Sequence, residues 1–281
     1  RLMEDGMLSV DDPIANYLDQ EVSDKLTNVE GCKITHLLAH TSGIPDYYTI
    51  NFELDRFNRE DNGFAQEDIL AYTYGKPATN AVGETYYYSN TNFLLLAMIA
   101  EKATGKAMAD LYQQYIFDPL NLESGYYGTG DSRLPKGIAK GYADIYGSGS
   151  HAESQFLYQD ELGTGDGGLA INAYDLFIFL QALGEGQLLS GESEARMFDW
   201  FDLPEDWVWE DLQQIKNGYG VEYFAPKGEP AIGHTGSVDG FLSVALYFPE
   251  KDLSVILLTN NASTASGREE IIDAVLDEIL P

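Results

Sequence analysis

The sequence predicts an α+β fold, in which an antiparallel sheet is flanked by helices and joined to a mostly helical subdomain. Apolar residues recur at helical spacing in several segments before about residue 190. After about residue 217 the pattern changes to short β-branched and aromatic runs separated by Gly, Pro and charged turns, which is typical of hairpin-joined strands. A last amphipathic segment, "GREEIIDAVLDEIL", predicts a helix with acidic residues in its first turn. Helices in the middle and a sheet with a packed helix at the end make an α+β arrangement.

The first half of the chain is predicted to be mainly helical. Residues 1–8, "RLMEDGML", look like the last turns of a helix that stops at Gly6. The segment "ITHLLAH" at 34–40 has helical spacing and leads into the turn-like "TSGIPDYY". Residues 92–119 are predicted to carry two helices, the first of which closes near Gly105.

The second half changes from loops to a helix and then to strands. Residues 121–168 read as a long irregular stretch, and its "GSGS" and "GTGDGG" are predicted to be turns because no phosphate-binding fingerprint accompanies them. Residues 172–190 predict an amphipathic helix with Asn172 as its N-cap and Gly184 as its stop. The predicted strands are "GYGVEYF", "AIGHTG", "GFLSVALYFPE" and "LSVILLTNN".

Length and composition predict one globular domain. A chain of 281 residues with 44% hydrophobic residues buries a large core and is not disordered. We expect a single domain over 1–281, with a helical subdomain at about 30–170 and an α/β subdomain made of 1–29 and 171–281. No run of about 18 apolar residues appears, so no membrane span is predicted.

The charge of the chain restricts its partners. Sixteen Lys and Arg against 46 Asp and Glu give a net charge of −30, which works against binding to nucleic acids or anionic membranes. We interpret this acidity as a solubility or salt-adapted surface. Cys32 is the only cysteine, so an internal disulfide is excluded, and it lacks the surroundings of a thiol nucleophile.

Three candidate sites have a plain structural interpretation. The stretch "ETYYYSNTNFL" at 84–94 fits a strand-to-helix corner, since aromatic residues suit extended backbone and Ser and Asn suit a helix N-terminus. His36 and His40 are spaced to share a helix face, but a third ligand and the Glu of a His-Glu-x-x-His motif are missing, so packing is favoured over a metal site. The sequence contains no Gly-x-Ser-x-Gly elbow and no Ser-x-x-Lys motif. We predict no metal and no cofactor.

Three motifs in order along the chain carry a family resemblance. They are "YYYSNTN" entering a helix, "HTSGIPDY" at 40–47, and "GHTGSVDGF" at 233–241 on a predicted strand. With these motifs the chain resembles the serine β-lactamase and penicillin-binding-protein superfamily, in the branch of class C β-lactamases, D-alanyl-D-alanine carboxypeptidases and related esterases. The resemblance runs from "LMEDGMLSVDDPIANYL" to "LSVILLTNN" and implies a β-lactamase/transpeptidase-like fold.

The resemblance implies a role for each matched residue. Tyr88 and Asn90 match the Tyr-x-Asn motif, and His234, Thr235 and Gly236 match the Lys/His-Thr-Gly motif, so Tyr88, Asn90 and His234 are the implied catalytic residues. Thr235, Gly236 and Ser237 are the implied substrate-binding residues, with the Ser237 N–H as an oxyanion donor. A phenol acts as a base near neutral pH only if nearby cations stabilise the phenolate, and the family's motifs supply such cations. The first two tyrosines of the run are assigned to packing.

The family's first motif, Ser-x-x-Lys, is missing from the 281 residues. By resemblance it lies about 10 to 20 residues upstream of Arg1, so we expect an N-terminally truncated chain, a split protein or a relic. By the same resemblance, the N-terminal segment upstream of Arg1 would also supply a helix and strands that cover one edge of the sheet. We therefore expect either that segment or a neighbouring chain to cover the edge.

The resemblance implies a serine hydrolase that transfers an acyl group through an acyl-enzyme, with D-alanyl peptides, β-lactams or esters as substrates. His234 in place of Lys favours a carboxypeptidase or esterase over an efficient β-lactamase. The alternative is a non-catalytic module that binds peptidoglycan-like or D-amino-acid ligands. A small molecule or peptide is the expected partner in both cases, and the resemblance favours a periplasmic or extracellular location.

Overall fold

An antiparallel sheet packed against helices, and a mostly helical region with its own core, form the architecture. The computed structural model describes residues 1–58, 64–127, 137–144, 148–154, 164–204, 212–238, 240–262 and 268–280. Within them the helices are α1 (Gln20–Ser23), α2 (Ile34–Leu38), α3 (Ile50–Asn58), α4 (Gln66–Leu70), α5 (Asn90–Thr104), α6 (Met108–Tyr112), α7 (Asp118–Leu120), α8 (Ala173–Gly184), α9 (Gly191–Met197) and α10 (Arg268–Ile279). A π-helical turn, Gln113–Phe117, joins α6 to α7.

The strands are short before residue 200 and long near the end of the chain. They are β1 (Tyr126–Tyr127), β2 (Tyr142–Ala143), β3 (Ala152–Glu153), β4 (Leu169–Ala170), β5 (Phe201–Asp202), β6 (Gln214–Asn217), β7 (Glu222–Phe224), β8 (Ala231–Val238), β9 (Phe241–Phe248) and β10 (Leu253–Thr259). β1 pairs with β4 and β2 pairs with β3, whereas the other strands form one antiparallel sheet in the order β10-β9-β8-β7-β6-β5.

The register of β8 leaves part of this strand open on one side. β9 pairs with β8 along the whole strand, from Ile232 opposite Tyr247 to Val238 opposite Phe241. β7 pairs only with the first part of β8, ending with Glu222 opposite Gly233. Beyond Gly233, therefore, the second edge of β8 has no strand partner among the described residues.

The two largest of four buried clusters among the described residues hold the architecture together. Fourteen buried residues, among them Leu37, Phe52 and Leu94, form the core of the helical region. A second cluster packs the sheet against α10 and includes Phe224, Val244 and Leu276. At about 25 cal/mol per Å² of apolar surface removed from water, such burial is the main stabilising term for both regions.

The α+β prediction is confirmed. The hairpin-joined strands and the final helix lie where the change of hydrophobic period indicates them. α5 ends at Thr104 because Gly105 takes a left-handed conformation, with φ of 68°. α8 begins after Asn172, whose side chain accepts a hydrogen bond from the backbone N–H of Asp175, and ends at Gly184 as predicted.

Two local predictions are wrong, and part of a third lies outside the described residues. Residues 1–8 form a hydrogen-bonded turn in which Gly6 has φ of 70°, and no helix is assigned there. The residues before α5 are extended but form no strand, because they bond to a loop residue instead of a neighbouring strand. Of the stretch 121–168, residues 128–136, 145–147 and 155–163 are not described.

The single thiol lies inside the helical core. Cys32 has no exposed surface, and burial raises the pKa of its thiol to about 12. A thiol held in this way is inert, since the thiolate is the reactive form. No helix among the described residues is both long and apolar enough to cross a membrane.

Candidate active site

His40 is the residue around which the Tyr88 segment is arranged. It directly follows the short loop after α2, has φ of 54°, and is only 2% exposed. The ring of Tyr88 stacks on the His40 ring with 4.4 Å between centroids and 26° between planes. The Tyr86 ring meets the same imidazole edge-on at 5.9 Å. The imidazole therefore fixes the position of the Tyr88 phenol.

Hydrogen bonds define the state of this histidine. The backbone N–H of Ser89 donates to His40 Nδ1 over 3.2 Å, and the side-chain amide nitrogen of Asn92 lies 3.1 Å from the same atom. The Tyr87 N–H donates to the His40 carbonyl over 2.8 Å. Since Nδ1 accepts, the ring is neutral, and burial lowers the pKa of His40 to about 3. These bonds replace the strand pairing expected before α5.

The first turn of α5 is joined to the loop at 40–47. Asn90 Nδ2 donates to Asp46 Oδ2 over 2.9 Å. Thr91 Oγ1 donates to the Pro45 carbonyl and accepts from the Tyr47 N–H, each over 2.9 Å. Asn90 is thus held by a carboxylate, which leaves its amide oxygen available as an acceptor.

Carboxylates surround the Tyr88 phenol. Burial raises the pKa of Tyr88, and the carboxylates of Glu222, Asp166 and Asp46 raise it further. The expectation from the sequence was the opposite, that cations would lower it. The described residues therefore keep the Tyr88 side chain neutral. Tyr88 can act as a base only if a cation lies beside it.

Asp166 is a second buried carboxylate that influences the Tyr88 phenol. The Tyr47 hydroxyl donates to Asp166 Oδ2 over 2.6 Å. Burial raises the pKa of the Asp166 carboxyl to about 6, against the lowering effect of its hydrogen bonds from Tyr47 and Thr164. Part of this carboxyl is protonated near neutral pH.

We expect Asp166 to make the protein less stable as the pH rises from about 4 to about 7. Its pKa is raised from 3.8 to about 6 in the folded state, so its contribution is fully present below the unfolded value and is lost as the pH rises through about 6. Urea unfolding should show a difference in slope between wild type and Asp166→Asn of up to about 1.4 kcal/mol per pH unit across this window. The amide retains an acceptor for Tyr47, and parallel pH curves would contradict the prediction.

The third motif lies on β8, at the open part of its edge. Its histidine pairs across the sheet with Ala245, and Gly236 pairs with Ser243. Nδ1 of His234 lies 2.5 Å from the Thr235 carbonyl oxygen, and the side chain is 41% exposed. Glu222 Oε2 lies 3.8 Å from the same nitrogen.

The structure brings the second and third motifs to one site. The Glu222 carboxylate raises the pKa of Tyr88 and lies 3.8 Å from His234 Nδ1. His234 in turn contributes to the lowered pKa of His40. Asn90 follows two residues after Tyr88 at the start of α5. The remaining predicted site residues, Thr235, Gly236 and Ser237, continue along β8.

Sequence reasoning gave no site role to four groups that lie here: His40, Asp46, Asp166 and Glu222. His40 and Asp46 fall in the motif "HTSGIPDY", but His40 was assigned to packing, and Glu222 was visible only as a charge within the run "GYGVEYF". Of the two tyrosines assigned to packing, Tyr86 is buried and Tyr87 is 41% exposed. His36 accepts a hydrogen bond from the Lys33 N–H through Nδ1. No group of three or more His, Cys, Asp and Glu side chains suited to a metal ion was found in the described ranges.

Comparisons with known proteins identify sequences similar to this chain. The sequence model of the family described as Beta-lactamase matches residues 1–278. The chain is 28% identical to penicillin-binding protein 4* of Bacillus subtilis strain 168 over 97% of the chain and 60% of that protein. It is 25% identical to a D-aminopeptidase of Cereibacter sphaeroides strain ATCC 17029 over 94% of the chain and 49% of that protein.

The fold is also that of solved structures. A penicillin-binding protein from Bacillus halodurans superposes with a TM-score of 0.77 and 25% identity, covering 98% of this chain and 80% of that one. The chain thus spans between 49% and 60% of the length of the two named sequence relatives.

Proposed function

This chain belongs to the beta-lactamase family, and on that premise we propose that it forms the substrate-binding body of a serine hydrolase. The reaction is acyl transfer through an acyl-enzyme, with the nucleophilic Ser supplied by a Ser-x-x-Lys segment upstream of Arg1. The observation that carries the proposal is the convergence of Tyr88 with the Glu222–His234 contact beside the open edge of β8.

The proposed roles follow from the chemistry of each side chain. Tyr88 moves protons between the nucleophile and the leaving group once a cation stabilises its phenolate. Asn90, held by Asp46, presents an amide oxygen to an ammonium or amide N–H. His234 supplies positive charge beside the substrate. The Ser237 N–H donates to the oxyanion, a type of contribution worth roughly 10²–10³ in rate.

The open edge of β8 supports an extended substrate. From His234 to Val238 the strand has β9 on one side and no strand on the other among the described residues. An extended peptide can add to such an edge by backbone hydrogen bonds. We therefore assign substrate alignment to Thr235, Gly236 and Ser237, with Thr235 acting through its side chain because its N–H and carbonyl already bond to Glu222 and His234.

The substrate class that we propose is an acyl compound related to D-amino acids: D-alanyl peptides, their amides and esters, or β-lactams. The relatives named above are a penicillin-binding protein and a D-aminopeptidase, which supports the first group over the last. His234 in place of Lys supports the same order. Fold likeness alone does not assign a substrate, so this order rests on the named relatives and on His234.

Covalent labelling tests the proposal. A form of the protein extended upstream to include the Ser-x-x-Lys segment should be labelled by a fluorescent penicillin or a fluorophosphonate, with one adduct in the intact mass. The 281-residue chain, which contains no Ser-x-x-Lys, should stay unlabelled and serves as the matched control. Labelling of the shorter chain at any serine would refute our placement of the nucleophile.

The alternative is a module that binds peptidoglycan-like or D-amino-acid ligands without turnover. The neutral, carboxylate-surrounded phenol of the described chain favours it for this segment taken alone. An extended form that binds a D-Ala-D-Ala peptide but hydrolyses neither peptide nor ester would establish this alternative.

We also propose that a segment from outside the 281 residues covers the outer edge of β10. Within the described ranges this strand pairs only with β9. Leu258 on β10 and Ile271 on α10 are exposed, at 39% and 45%. An uncovered edge beside apolar side chains invites association, so the extended form should be more soluble than the shorter chain.

A further inference from the structure

Glu222 is a buried carboxylate that the proposed mechanism does not yet use. It is the first residue of β7 and is only 6% exposed. The Thr235 N–H donates to its carboxylate, but Oε2 has no hydrogen-bond partner. Burial of this group raises the pKa of Glu222, and a positive charge on His234 opposes that effect and offsets the cost of the unpartnered oxygen.

His234 is the base that lies beside this oxygen. Its Nδ1 is 2.5 Å from the Thr235 carbonyl oxygen. A carbonyl only accepts, so Nδ1 carries a hydrogen and Nε2 is the atom that takes a second proton. Glu222 Oε2 lies 3.8 Å from Nδ1, within the range at which an opposite charge favours the imidazolium.

The other groups around this pair do not supply a cation. His40 is buried with a pKa of about 3 and is neutral. Glu222 also raises the pKa of the phenols of Tyr86 and Tyr88, but a phenol is neutral or negative and never a cation. On the neighbouring strand β9 the residue opposite His234 is Ala245, which does not titrate.

We propose that Glu222 is a positioning residue for His234, and that its carboxylate is the counter-ion that lets the imidazole take a second proton at the open edge of β8. The catalytic meaning of this pair rests on the function proposed above, whereas the ion pair itself does not. Protonated His234 then adds positive charge next to the carboxylate-surrounded Tyr88. Glu222 acts on the reaction through this histidine, whereas its direct effect on Tyr88, which raises the pKa of the phenol, works in the opposite direction.

Nuclear magnetic resonance of the 281-residue chain tests the ion pair without any turnover. Imidazole nitrogen shifts of the four histidines are followed against pH, and His234 is assigned by the signal lost in His234→Lys. Glu222→Gln preserves the shape and an acceptor for Thr235 while removing the charge. We expect the His234 titration midpoint to move to lower pH by about one unit, with His36 and His151 unmoved.

An unchanged midpoint in a folded Glu222→Gln variant would overturn the proposal. If this variant does not fold, Glu222→Asp provides the measurement, because it keeps the charge but withdraws it from the imidazole by one methylene. Its midpoint should also move to lower pH, by less than about one unit. A midpoint equal to that of wild type in Glu222→Asp would likewise reject the counter-ion role.

Kinetics of the nucleophile-containing form separate positioning from a purely structural role. Glu222→Gln should lower kcat near neutral pH by about tenfold, as expected for a one-unit shift. In a His234→Lys background the same change should have little effect, since an ammonium is charged without help. Equal losses in both backgrounds would overturn the proposal. A shifted midpoint in a protein that hydrolyses nothing would reject the proposed function and leave the ion pair standing.

Discussion

Replacing Tyr88 by Phe should lower the turnover of the nucleophile-containing form by a factor on the order of 10² or more. The change removes only the hydroxyl, and the Phe ring retains the stack on His40 that holds this segment. We therefore expect the melting temperature to stay near that of wild type. The measurement is kcat/KM for an ester substrate, together with thermal unfolding of each variant.

Tyr87→Phe is the matched control for this change. It removes a hydroxyl of the same kind from the neighbouring tyrosine, whose side chain is 41% exposed. Its backbone N–H bond to His40 is unaffected. Near-full activity of Tyr88→Phe, or an equal loss in both variants, would remove Tyr88 from the mechanism.

Replacing Gly233 by Ala should destabilise the protein severely, by about 3 kcal/mol or more, at the upper end of overpacking costs. A Cβ at this position would collide with the backbone carbonyl of Ala245 on β9, which cannot rotate away. The free energy of unfolding in urea measures the effect. Because His234 is the next residue on β8 and pairs with Ala245 on β9, displacement of β9 also moves His234.

Gly236→Ala is the matched control on the same strand. Its Cβ would meet the Oγ of Ser243, whereas Ser243 Cβ would stay at 3.7 Å, an ordinary contact. The cost should therefore be smaller than at Gly233, and Ser243→Ala should relieve it. A stable Gly233→Ala variant would show that the strands separate more easily than their pairing indicates.

The parts of the fold that the sequence predicted are those set by local patterns. The strands β8 to β10 and the helices α8 and α10 each carry their own hydrophobic period, and Asn172 and Gly105 mark helix ends by their backbone chemistry. Residues 85–89 look extended for the same local reasons. Their hydrogen-bond partner is His40, far away in sequence, and no local pattern reveals it.

The motifs of the candidate site came from the family resemblance, whereas its charge could not be read from the sequence. Tyr88, Asn90 and His234 were identified by resemblance; in the structure the Glu222 carboxylate raises the pKa of Tyr88 and lies 3.8 Å from His234 Nδ1. The carboxylates of Asp46, Asp166 and Glu222 raise the pKa of Tyr88 only because folding buries them near this phenol. In a chain with 46 acidic residues, single carboxylates carry no such signal.

The position of Cys32 makes the helical region report on its own opening. The thiol has no exposed surface and packs within the same core as Leu37 and Leu94. An alkylating reagent can reach it only when that core separates. Because the chain has no other cysteine, the alkylation rate of unmodified protein measures how often this core opens, and ligands that stabilise the helical region should lower that rate.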